Sequence, residues 1–244
     1  MKTEHQKTGF QAPPSKQKPT ENIRTCDRCG TCCRKGGPSF HQADKELIAK
    51  GTIPLSQLYT IREGELAYDN VKQALRPVDS DIIKIKGKND SWICWFFDEP
   101  DNRCTIYESR PQECRVLQCW DTREIERVYA ENRLTRKDLI ADIEGLWGLV
   151  HDHQQRCDYH KIANLVKAMD RGKPGHAQKK IAEIIQYDIE IRNLVTEKGG
   201  LEPDMLDFLF GRPLTETIEN FGFRVLREGG KIILQRLPRR EVPI

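Results

Sequence analysis

The sequence predicts an α+β fold, in which a small cysteine-rich core with short strands is extended by mostly helical segments and a C-terminal β-hairpin. Three observations predict it. Eight of the nine cysteines fall in two groups within residues 26–119. Apolar residues keep helical spacing over much of residues 135–196. Near the C-terminus, Phe221, Phe223 and Val225 alternate with other residues, a turn follows at Glu228-Gly229-Gly230, and Ile232–Leu237 runs back, which is typical of a β-hairpin.

Composition narrows the class of protein. The 244 residues are enough for one large domain, or for a core domain with an added piece. No run of apolar residues approaches the roughly 20 needed to cross a bilayer, and the N-terminus lacks the apolar core of a signal peptide. We therefore expect a cytoplasmic protein with no membrane partner. A net charge of +3 gives little reason to expect nucleic acid as a partner.

The N-terminal part of the chain predicts a tail, a loop and two short helices. Residues 1–22 are rich in Lys, Gln, Pro and Thr with almost nothing to bury, so we expect them to be disordered. A loop rich in cysteine and glycine follows over residues 23–37. We expect a helix over Ala43–Lys50, ended by the glycine that follows it. A second helix is expected over residues 54–63, because apolar residues recur there at helical spacing.

The middle of the chain predicts two strands and two helices. Asp81–Lys86 and Trp92–Phe97 have the composition of strands, with a turn between them. Ser109 and the proline two residues later favour the start of a helix that would carry Cys114. A further helix is expected over Asp121–Glu131.

The C-terminal part predicts three helices before the hairpin. Thr135 is expected to cap a helix that reaches about Arg156, and another covers Tyr159–Met169. The third, His176–Thr196, has isoleucines at i, i+3, i+4 and i+8, which share one face. The hairpin would return along Ile232–Leu237.

Cys26, Cys29, Cys32 and Cys33 form the first cysteine group, with the spacing CxxCxxCC. Two-residue spacing lets sulfurs converge, and the neighbouring glycines permit tight turns around a ligand. Basic residues among them favour the thiolate, which is the form that binds metal. The CxxCxxC part also occurs in iron–sulfur ligation. The adjacent pair could serve two metals, or different corners of one cluster.

Cys94, Cys104, Cys114 and Cys119 form the second cysteine group, whose spacing matches no familiar zinc finger. The spacing is wide enough to bring ligands from a strand, a turn, a helix and a loop. Clustered cysteines in a cytosolic chain more often hold metal or carry out redox chemistry than form disulfides. The eight thiols would supply two tetrahedral sites, or one site plus a redox or substrate-facing set.

Three other residues have a plainer interpretation. Cys157 stands alone on a helical segment, so we expect it to pack as a small apolar residue. His153 lies one helical turn before it and could share its face. His41 is close to the first group in sequence, but we do not expect it to be a ligand.

Charged and aromatic residues surround the second group. We expect Arg110 and Arg115 to form salt bridges with Glu108 or Glu113; alternatively, they would anchor an anionic cluster or a substrate carboxylate. Four aromatic residues are expected to pack around the site and to shield it from water. They are Tyr107, Trp92, Trp95 and Trp120.

The two groups together resemble a known family. CDRCGTCC at residues 26–33, followed by CTIYESRPQECRVLQC at residues 104–119, is similar to the YkgJ-like CxxCxxCC cysteine-cluster family. The resemblance covers roughly residues 24–120, and residues 121–170 look like the companion region of some longer members. Members are described as zinc- or iron-chelating and include flagellin lysine N-methylase. The resemblance implies that all eight cysteines of the two groups are metal ligands.

These observations divide the chain into four parts. We predict a disordered tail at residues 1–22 and a cysteine-cluster metal-binding domain at residues 23–120. A helical extension packed on this domain is predicted at residues 121–172. A C-terminal helical segment with the β-hairpin is predicted at residues 173–244.

Three functions are compatible with the sequence. The first is a metal-binding protein that holds an iron–sulfur cluster, for electron transfer with a redox partner or as an accessory factor to another protein. The second, implied by the resemblance alone, is a cluster-dependent protein lysine N-methyltransferase that uses S-adenosylmethionine, although neither CxxxCxxC nor GxGxxG is present. The third is a structural zinc protein that binds a partner.

All-thiolate ligation suits both zinc and iron–sulfur. Eight cysteines exceed the needs of one structural zinc, and the methylase relative suggests a cluster, so iron–sulfur is the favoured cofactor.

Overall fold

The computed structural model describes residues 26–89, 91–172 and 174–238. Helices and short antiparallel strand pairs alternate along these residues, and a β-hairpin lies near the C-terminus, so the predicted α+β fold is confirmed. The tail predicted to be disordered, residues 1–22, lies outside the described residues. The division of the chain into four parts stays a prediction.

Strands β1 (Leu58–Ile61) and β4 (Ile82–Ile85) form the central strand pair of the N-terminal part. They run antiparallel, with Leu58 opposite Ile85. The strand predicted over Asp81–Lys86 is therefore confirmed. Residues just after the first cysteine group pair with the free side of β4, which fixes the end of the cysteine loop against the sheet.

The helix predicted over residues 54–63 is wrong. Only Leu55–Gln57 forms a helical turn, of the 3-10 type, and the chain then enters β1. Leu58 and Thr60 are buried while their neighbours are half-buried, which is the two-residue period of a strand. The branched side chains of Thr60 and Ile61 also favour a strand, and β4 supplies the hydrogen-bond partners.

Two further strand pairs are short. Strands β2 (Leu66–Asp69) and β3 (Ala74–Pro77) form a hairpin that we did not predict from the sequence. Strands β5 (Phe97–Asp98) and β6 (Arg103–Cys104) form the other pair, and this pair carries one of the candidate ligands.

The strand predicted over Trp92–Phe97 is wrong except at its last residue. The Cys94 N–H donates to the Cys33 carbonyl at 2.8 Å, whereas the Trp95 N–H donates to the Lys86 carbonyl at 3.0 Å. Successive N–H groups of this segment therefore donate to two different parts of the chain, and the continuous hydrogen-bond ladder of a β-strand does not form.

Three short helices lie in the first half: α1 (Lys45–Ala49), α2 (Gln112–Val116) and α3 (Arg123–Val128). Each coincides with a predicted helix, and α2 carries Cys114 as expected. Their five or six residues bury little apolar surface, so they depend on what they pack against.

The helix predicted over residues 135–156 is two helices, α4 (Arg136–Ile140) and α5 (Leu146–Arg156). Thr135 does cap the first of them, through a reciprocal capping box. The second begins after Gly145, whose φ of 75° is a conformation that glycine adopts readily and other residues rarely do.

Helices α6 (Tyr159–Asp170) and α7 (Pro174–Glu197) confirm the next two predicted helices. The spacing of the isoleucines explains α7, because Ile181 and Ile185 are both fully buried. Two short helices follow, α8 (Leu206–Phe210) and α9 (Leu214–Thr217). Among the described helices, none combines the length and the apolar character needed to span a membrane.

The predicted C-terminal hairpin is confirmed. Strands β7 (Phe223–Glu228) and β8 (Lys231–Arg236) pair over six residues each. Gly229 and Gly230 both have positive φ, 55° and 76°, as a two-residue turn of type I′ requires.

The buried apolar residues form two clusters. The first lies between the β1–β4 pair and helices α5 and α8, and includes Phe40, Ile83, Phe97, Phe208 and Phe210. The second lies between α6, α7, α9 and the hairpin, and includes Tyr159, Ile181, Ile185, Leu214 and Phe223. Because Cys33, Cys94 and Cys104 contact the first cluster, it supports one side of the candidate site.

Candidate metal centre

Backbone hydrogen bonds join the two cysteine groups, which are far apart in sequence. The Cys94 N–H donates to the Cys33 carbonyl at 2.8 Å, and the Phe97 N–H donates to the Cys94 carbonyl at 2.9 Å. Phe97 in turn pairs with Cys104 across β5 and β6. One ligand candidate of the first group is thereby fixed beside two of the second.

One side-chain contact and the electrostatic effects of the thiols on one another extend this set to five thiols. The Cys32 and Cys33 sulfurs are 4.0 Å apart. The charges of Cys94 and Cys104 act on Cys33, and those of Cys32, Cys94 and Cys104 act on Cys114. We refer to Cys32, Cys33, Cys94, Cys104 and Cys114 as the central thiols.

The other three candidates lie at the edge of this set. Cys29 is exposed, and its sulfur lies 3.2 Å from the Thr31 hydroxyl. Cys26 is exposed and accepts a hydrogen bond from the Arg28 N–H at 3.4 Å. Cys119 is also exposed. Within the described residues, no hydrogen bond joins any of these three sulfurs to a central thiol. The charge of Cys32 does act on Cys29, so Cys29 is linked to the central set.

The spacing of the central thiols limits what one ion could bind. No third ligand atom of the described residues lies within 4.8 Å of both sulfurs of the Cys32–Cys33 pair. A tetrahedral zinc ion with Zn–S bonds of about 2.3 Å needs sulfurs roughly 3.8 Å apart. The Cys32–Cys33 pair comes close to this requirement, but no third or fourth ligand atom of the described residues completes a tetrahedral set with it.

Burial keeps most of the central thiols protonated. It raises the pKa of Cys94 and Cys104, and that of Cys114 most strongly. In the Cys32–Cys33 pair, the hydrogen bond between the two side chains lowers the pKa of Cys32 to about 6 and raises the pKa of Cys33. Cys33 therefore keeps its proton and Cys32 is the thiol that ionises first. A metal at these thiols would therefore have to displace protons.

Close backbone packing explains one glycine of the first group's loop. A Cβ atom on Gly37 would lie 2.6 Å from both the Cβ and the carbonyl oxygen of Ile85. Only glycine allows the loop to approach β4 this closely.

His41 is not positioned as a ligand. It is buried, its Nδ1 lies 2.7 Å from the Glu131 carbonyl, and its Nε2 lies 3.3 Å from a Glu113 carboxylate oxygen. The other Glu113 oxygen accepts the Ser39 N–H at 2.6 Å. This network holds the helix that carries Cys114, and sequence reasoning missed it because its members are more than 70 residues apart.

The salt bridges predicted for Arg110 and Arg115 are wrong. Arg115 pairs with Asp44 at 3.5 Å and donates to the Arg110 carbonyl at 2.6 Å. The Arg110 guanidinium lies over the Tyr107 ring, 3.4 Å from its centroid, and forms no ion pair with a described carboxylate. The neighbouring glutamates are used elsewhere or face solvent, which a linear sequence does not reveal.

The predicted aromatic shield is also largely wrong. Trp92, Trp95 and Trp120 have exposed fractions of 69%, 42% and 37%. Tyr107 alone among the four contacts charged groups of the site, through its ring face. The apolar side of the site is formed instead by the first cluster.

A separate group of potential ligands lies in the second half of the chain. His153, Cys157 and Asp188 are fully buried, with ligand atoms within 4.8 Å of one another. The Asp188 carboxylate is already satisfied by His153 at 2.7 Å, Arg192 at 3.0 Å and the Leu214 N–H at 2.9 Å. Because Arg192 neutralises the carboxylate, we interpret this group as structural, which agrees with packing as the role predicted for Cys157.

Comparison with known proteins bears on the first site. Residues 25–133 match the family model CxxCxxCC, described as "Putative zinc- or iron-chelating domain". The chain is therefore similar to this family over somewhat less than half of its length. The match contains all eight candidate cysteines and excludes Cys157, and it confirms the resemblance drawn from the sequence. Neither the curated proteins nor the solved structures gave a significant match to the chain.

Proposed function

We propose that the CxxCxxCC domain holds an iron–sulfur cluster through thiolates of both cysteine groups, and that the protein serves as a one-electron carrier or as an accessory protein to a redox partner. The observation that carries the proposal is the convergence of the five central thiols from positions 32 to 114. The family description supports metal binding in the broader sense of zinc or iron.

The spacing of the sulfurs favours a cluster over a single ion. Thiolates that bind different irons of a cluster are separated by the metal–sulfide core, so they lie farther apart than ligands of one zinc ion. The Cys32 and Cys33 sulfurs are 4.0 Å apart, and no third ligand atom of the described residues lies within 4.8 Å of both. Cys26, Cys29 and Cys119, which are exposed, are the candidates for further ligands.

The surroundings suit a group with net negative charge. Arg34 stacks on Phe97 and donates to the Cys29 carbonyl at 3.2 Å, so its positive charge is fixed beside the first cysteine group. Burial raises the pKa of the Cys104 thiol, and the positive charge of Arg110 offsets part of that rise. When bound, an iron–sulfur cluster supplies reversible one-electron chemistry, and its potential depends on such charges and on solvent exposure.

A structural zinc site is the second candidate, because the 4.0 Å separation of Cys32 and Cys33 also fits two ligands of one zinc ion. In that case the domain would be redox-silent and would act by binding a partner. No observation on the described residues favours a methyl-donor site, so we do not extend the proposal to methyl transfer.

Metal analysis tests the proposal. We would purify the protein without oxygen and measure iron, zinc and acid-labile sulfide together with the visible spectrum. We expect about two or four irons with equal sulfide, and a broad absorption that dithionite bleaches. Stoichiometric zinc without colour would overturn the iron–sulfur proposal and establish the structural zinc site.

Variants test which thiols take part. Cys33→Ser and Cys104→Ser should each lower the metal and sulfide content, whereas Cys157→Ala, a thiol outside the domain, should leave both unchanged. Equal metal content in all three variants would contradict the assignment of the central thiols.

A further inference from the structure

Two arginines meet on one aromatic ring beside the central thiols. The Arg28 guanidinium carbon lies 4.0 Å from the centroid of the Tyr107 ring, and that of Arg110 lies 3.4 Å from it. The sum of these distances, 7.4 Å, is the largest possible separation of the two carbons. Two guanidinium groups at these distances would overlap on a single face, so they lie against opposite faces of the ring and their positive charges flank it.

Neither guanidinium has a partner of opposite charge. Within the described residues, Arg28 and Arg110 form no ion pair, and their guanidinium groups donate no hydrogen bond. The Nε of Arg110 is buried and has no hydrogen-bond partner. A buried donor of a charged group is costly to leave unpaired, so this arrangement favours an acceptor that is not part of the chain.

Other arginines near the cysteine site do have hydrogen-bond or ion-pair partners for their guanidinium groups. Arg103 pairs with Asp98 and Asp101, and Arg115 pairs with Asp44. Arg34 donates to the Asn102 side chain at 3.1 Å, and Asn102 donates back to the Arg28 carbonyl at 3.0 Å. The backbone around Arg28 is thereby held in place while its guanidinium stays available.

The pair also lies next to the candidate metal centre. Tyr107 follows Cys104 by three residues, and Arg110 acts on the Cys104 thiol through its charge. Arg28 lies between Cys26 and Cys29 in the first group. An anion bound by both arginines would therefore contact the edge of the cysteine site.

We propose that Arg28 and Arg110 form an anion subsite that binds the carboxylate or phosphate group of a small molecule beside the central thiols. Guanidinium groups bind both anions through paired N–H donors, and contact with the Tyr107 ring holds the two groups in place in advance. The existence of the subsite follows from these contacts alone, whereas its role in presenting a substrate to a metal centre rests on the proposed function.

Calorimetric titration of the metal-loaded protein tests the subsite. Acetate and inorganic phosphate are the two probes, titrated at constant ionic strength, and they distinguish a carboxylate from a phosphate ligand. We expect saturable binding of at least one probe. Arg110→Met and Arg28→Met should each weaken that binding about tenfold or more, since a charge-assisted hydrogen bond contributes roughly 1.5–3 kcal/mol.

Two further variants keep the test specific. Arg103→Met removes an exposed positive charge next to Cys104 and should leave the affinity unchanged, because Arg103 already has carboxylate partners. Arg110→Lys retains the charge without the paired donors and should bind more weakly than the unmodified protein but more tightly than Arg110→Met. Circular dichroism of each variant confirms that it is folded.

Two results would overturn the anion subsite. Absence of saturable binding of both probes would overturn the subsite and leave Arg110 as a charge partner of the thiols. Equal weakening in Arg103→Met would show a nonspecific charge effect and would also overturn it. Iron, zinc and sulfide are measured on the same samples. If the protein binds an anion but contains no metal, the missing metal refutes the proposed function and the anion binding still supports the subsite.

Discussion

The cysteine region, residues 26–119, and the helical half, residues 146–236, use the same kinds of residue in different ways. Helices of the cysteine region have five residues and its strands two to four, whereas α7 alone has 24 residues. Seven of the eight cysteines of the first region are exposed or half-buried, while Cys157 of the second is fully buried. Thiols therefore cluster where short elements bury little surface, which is where a metal can contribute most to stability.

Charged residues show the same contrast. In the helical half, the buried Asp188 carboxylate has three donors and a cationic neighbour. In the cysteine region, Arg28 and Arg110 have no carboxylate partner among the described residues. The Asp188 carboxylate is satisfied within the fold, although the buried Nδ1 of His153 beside it has no partner. The unpaired charges of Arg28 and Arg110 differ in lying beside the cysteine site, where they favour an external anion.

The largest effect should follow from Cys94→Ser, which removes the most buried central thiol. We expect loss of at least half of the bound metal and a fall in Tm of about 10 °C or more, roughly 3 kcal/mol for a chain of this size. Metal analysis and thermal unfolding measure both. The matched change Cys157→Ala should keep all the metal and cost about 1–2 kcal/mol through a small cavity. If Cys157→Ala lost metal and Cys94→Ser did not, the contrast between the two regions would be reversed.

Asp188→Asn should have the next largest effect, because it removes a buried charge that Arg192 and His153 both contact. We expect the free energy of unfolding in urea to fall by about 3 kcal/mol with metal content unchanged. Asp170→Asn is the matched control, since Asp170 forms an exposed pair with Arg236 and should cost less than about 1 kcal/mol. A loss of metal in Asp188→Asn would mean that the two regions are not independent.

The stability of the helical half should decrease in mild acid. Burial lowers the pKa of His153 to about 4, from an ordinary value of 6.5, despite its hydrogen bond to Asp188. The unfolded chain therefore takes up a proton between pH 6.5 and 4 that the folded chain refuses, and stability falls across this window by up to about 3 kcal/mol.

A second loss follows at lower pH. Burial alone would raise the pKa of Asp188, but the His153 hydrogen bond and the Arg192 charge lower it to about 2. Its contribution is present above about 3.8 and is lost as the pH falls towards 2. Urea unfolding at several pH values measures both steps. His153→Gln should remove the slope between pH 6.5 and 4.5, and the exposed His160→Gln should retain it; the same slope in both variants would refute the assignment.

The smallest effect should come from Gly222→Ala. Gly222 ends the helical turn before β7 with a φ of 83°, and a Cβ atom there would meet nothing within 4 Å. The cost is therefore backbone strain alone, about 1 kcal/mol. Gly148→Ala, in the interior of α5 with equally open space, should instead stabilise by about 0.5–1 kcal/mol. Urea unfolding compares them, and effects of the same sign would contradict this explanation.

Local patterns were enough to predict part of this molecule. The isoleucine spacing predicted α7, Gly229-Gly230 predicted the hairpin, and the cysteine spacing predicted the domain that the family match confirms. The helix expected over residues 54–63 failed because residues 55, 58 and 61 also fit one helical face, and only pairing with β4 selects the strand. Hairpin β2–β3 was missed because its residues are mostly exposed or half-buried and carry no apolar alternation.

The geometry of the candidate site depends on contacts between residues that are distant in sequence, so sequence alone predicts only part of it. Spacing identified eight thiols, but it could not show that Cys33 and Cys94 bond through their backbones or that Cys26 lies at the edge. The Asp44 partner of Arg115 is 71 residues away, so the nearest glutamates were the natural but wrong choice. Which thiols converge is a property of the folded chain, and sequence gives only the candidates.

The central claim is that metal bound by the central thiols stabilises the cysteine region, while apolar packing stabilises the helical half. Hydrogen exchange before and after metal removal with a chelator, under reducing conditions, tests it most directly. We predict that amides of β5, β6 and α2 lose protection on metal removal while those of α6 and α7 keep it. Unchanged protection throughout, or equal loss in both regions, would contradict the claim.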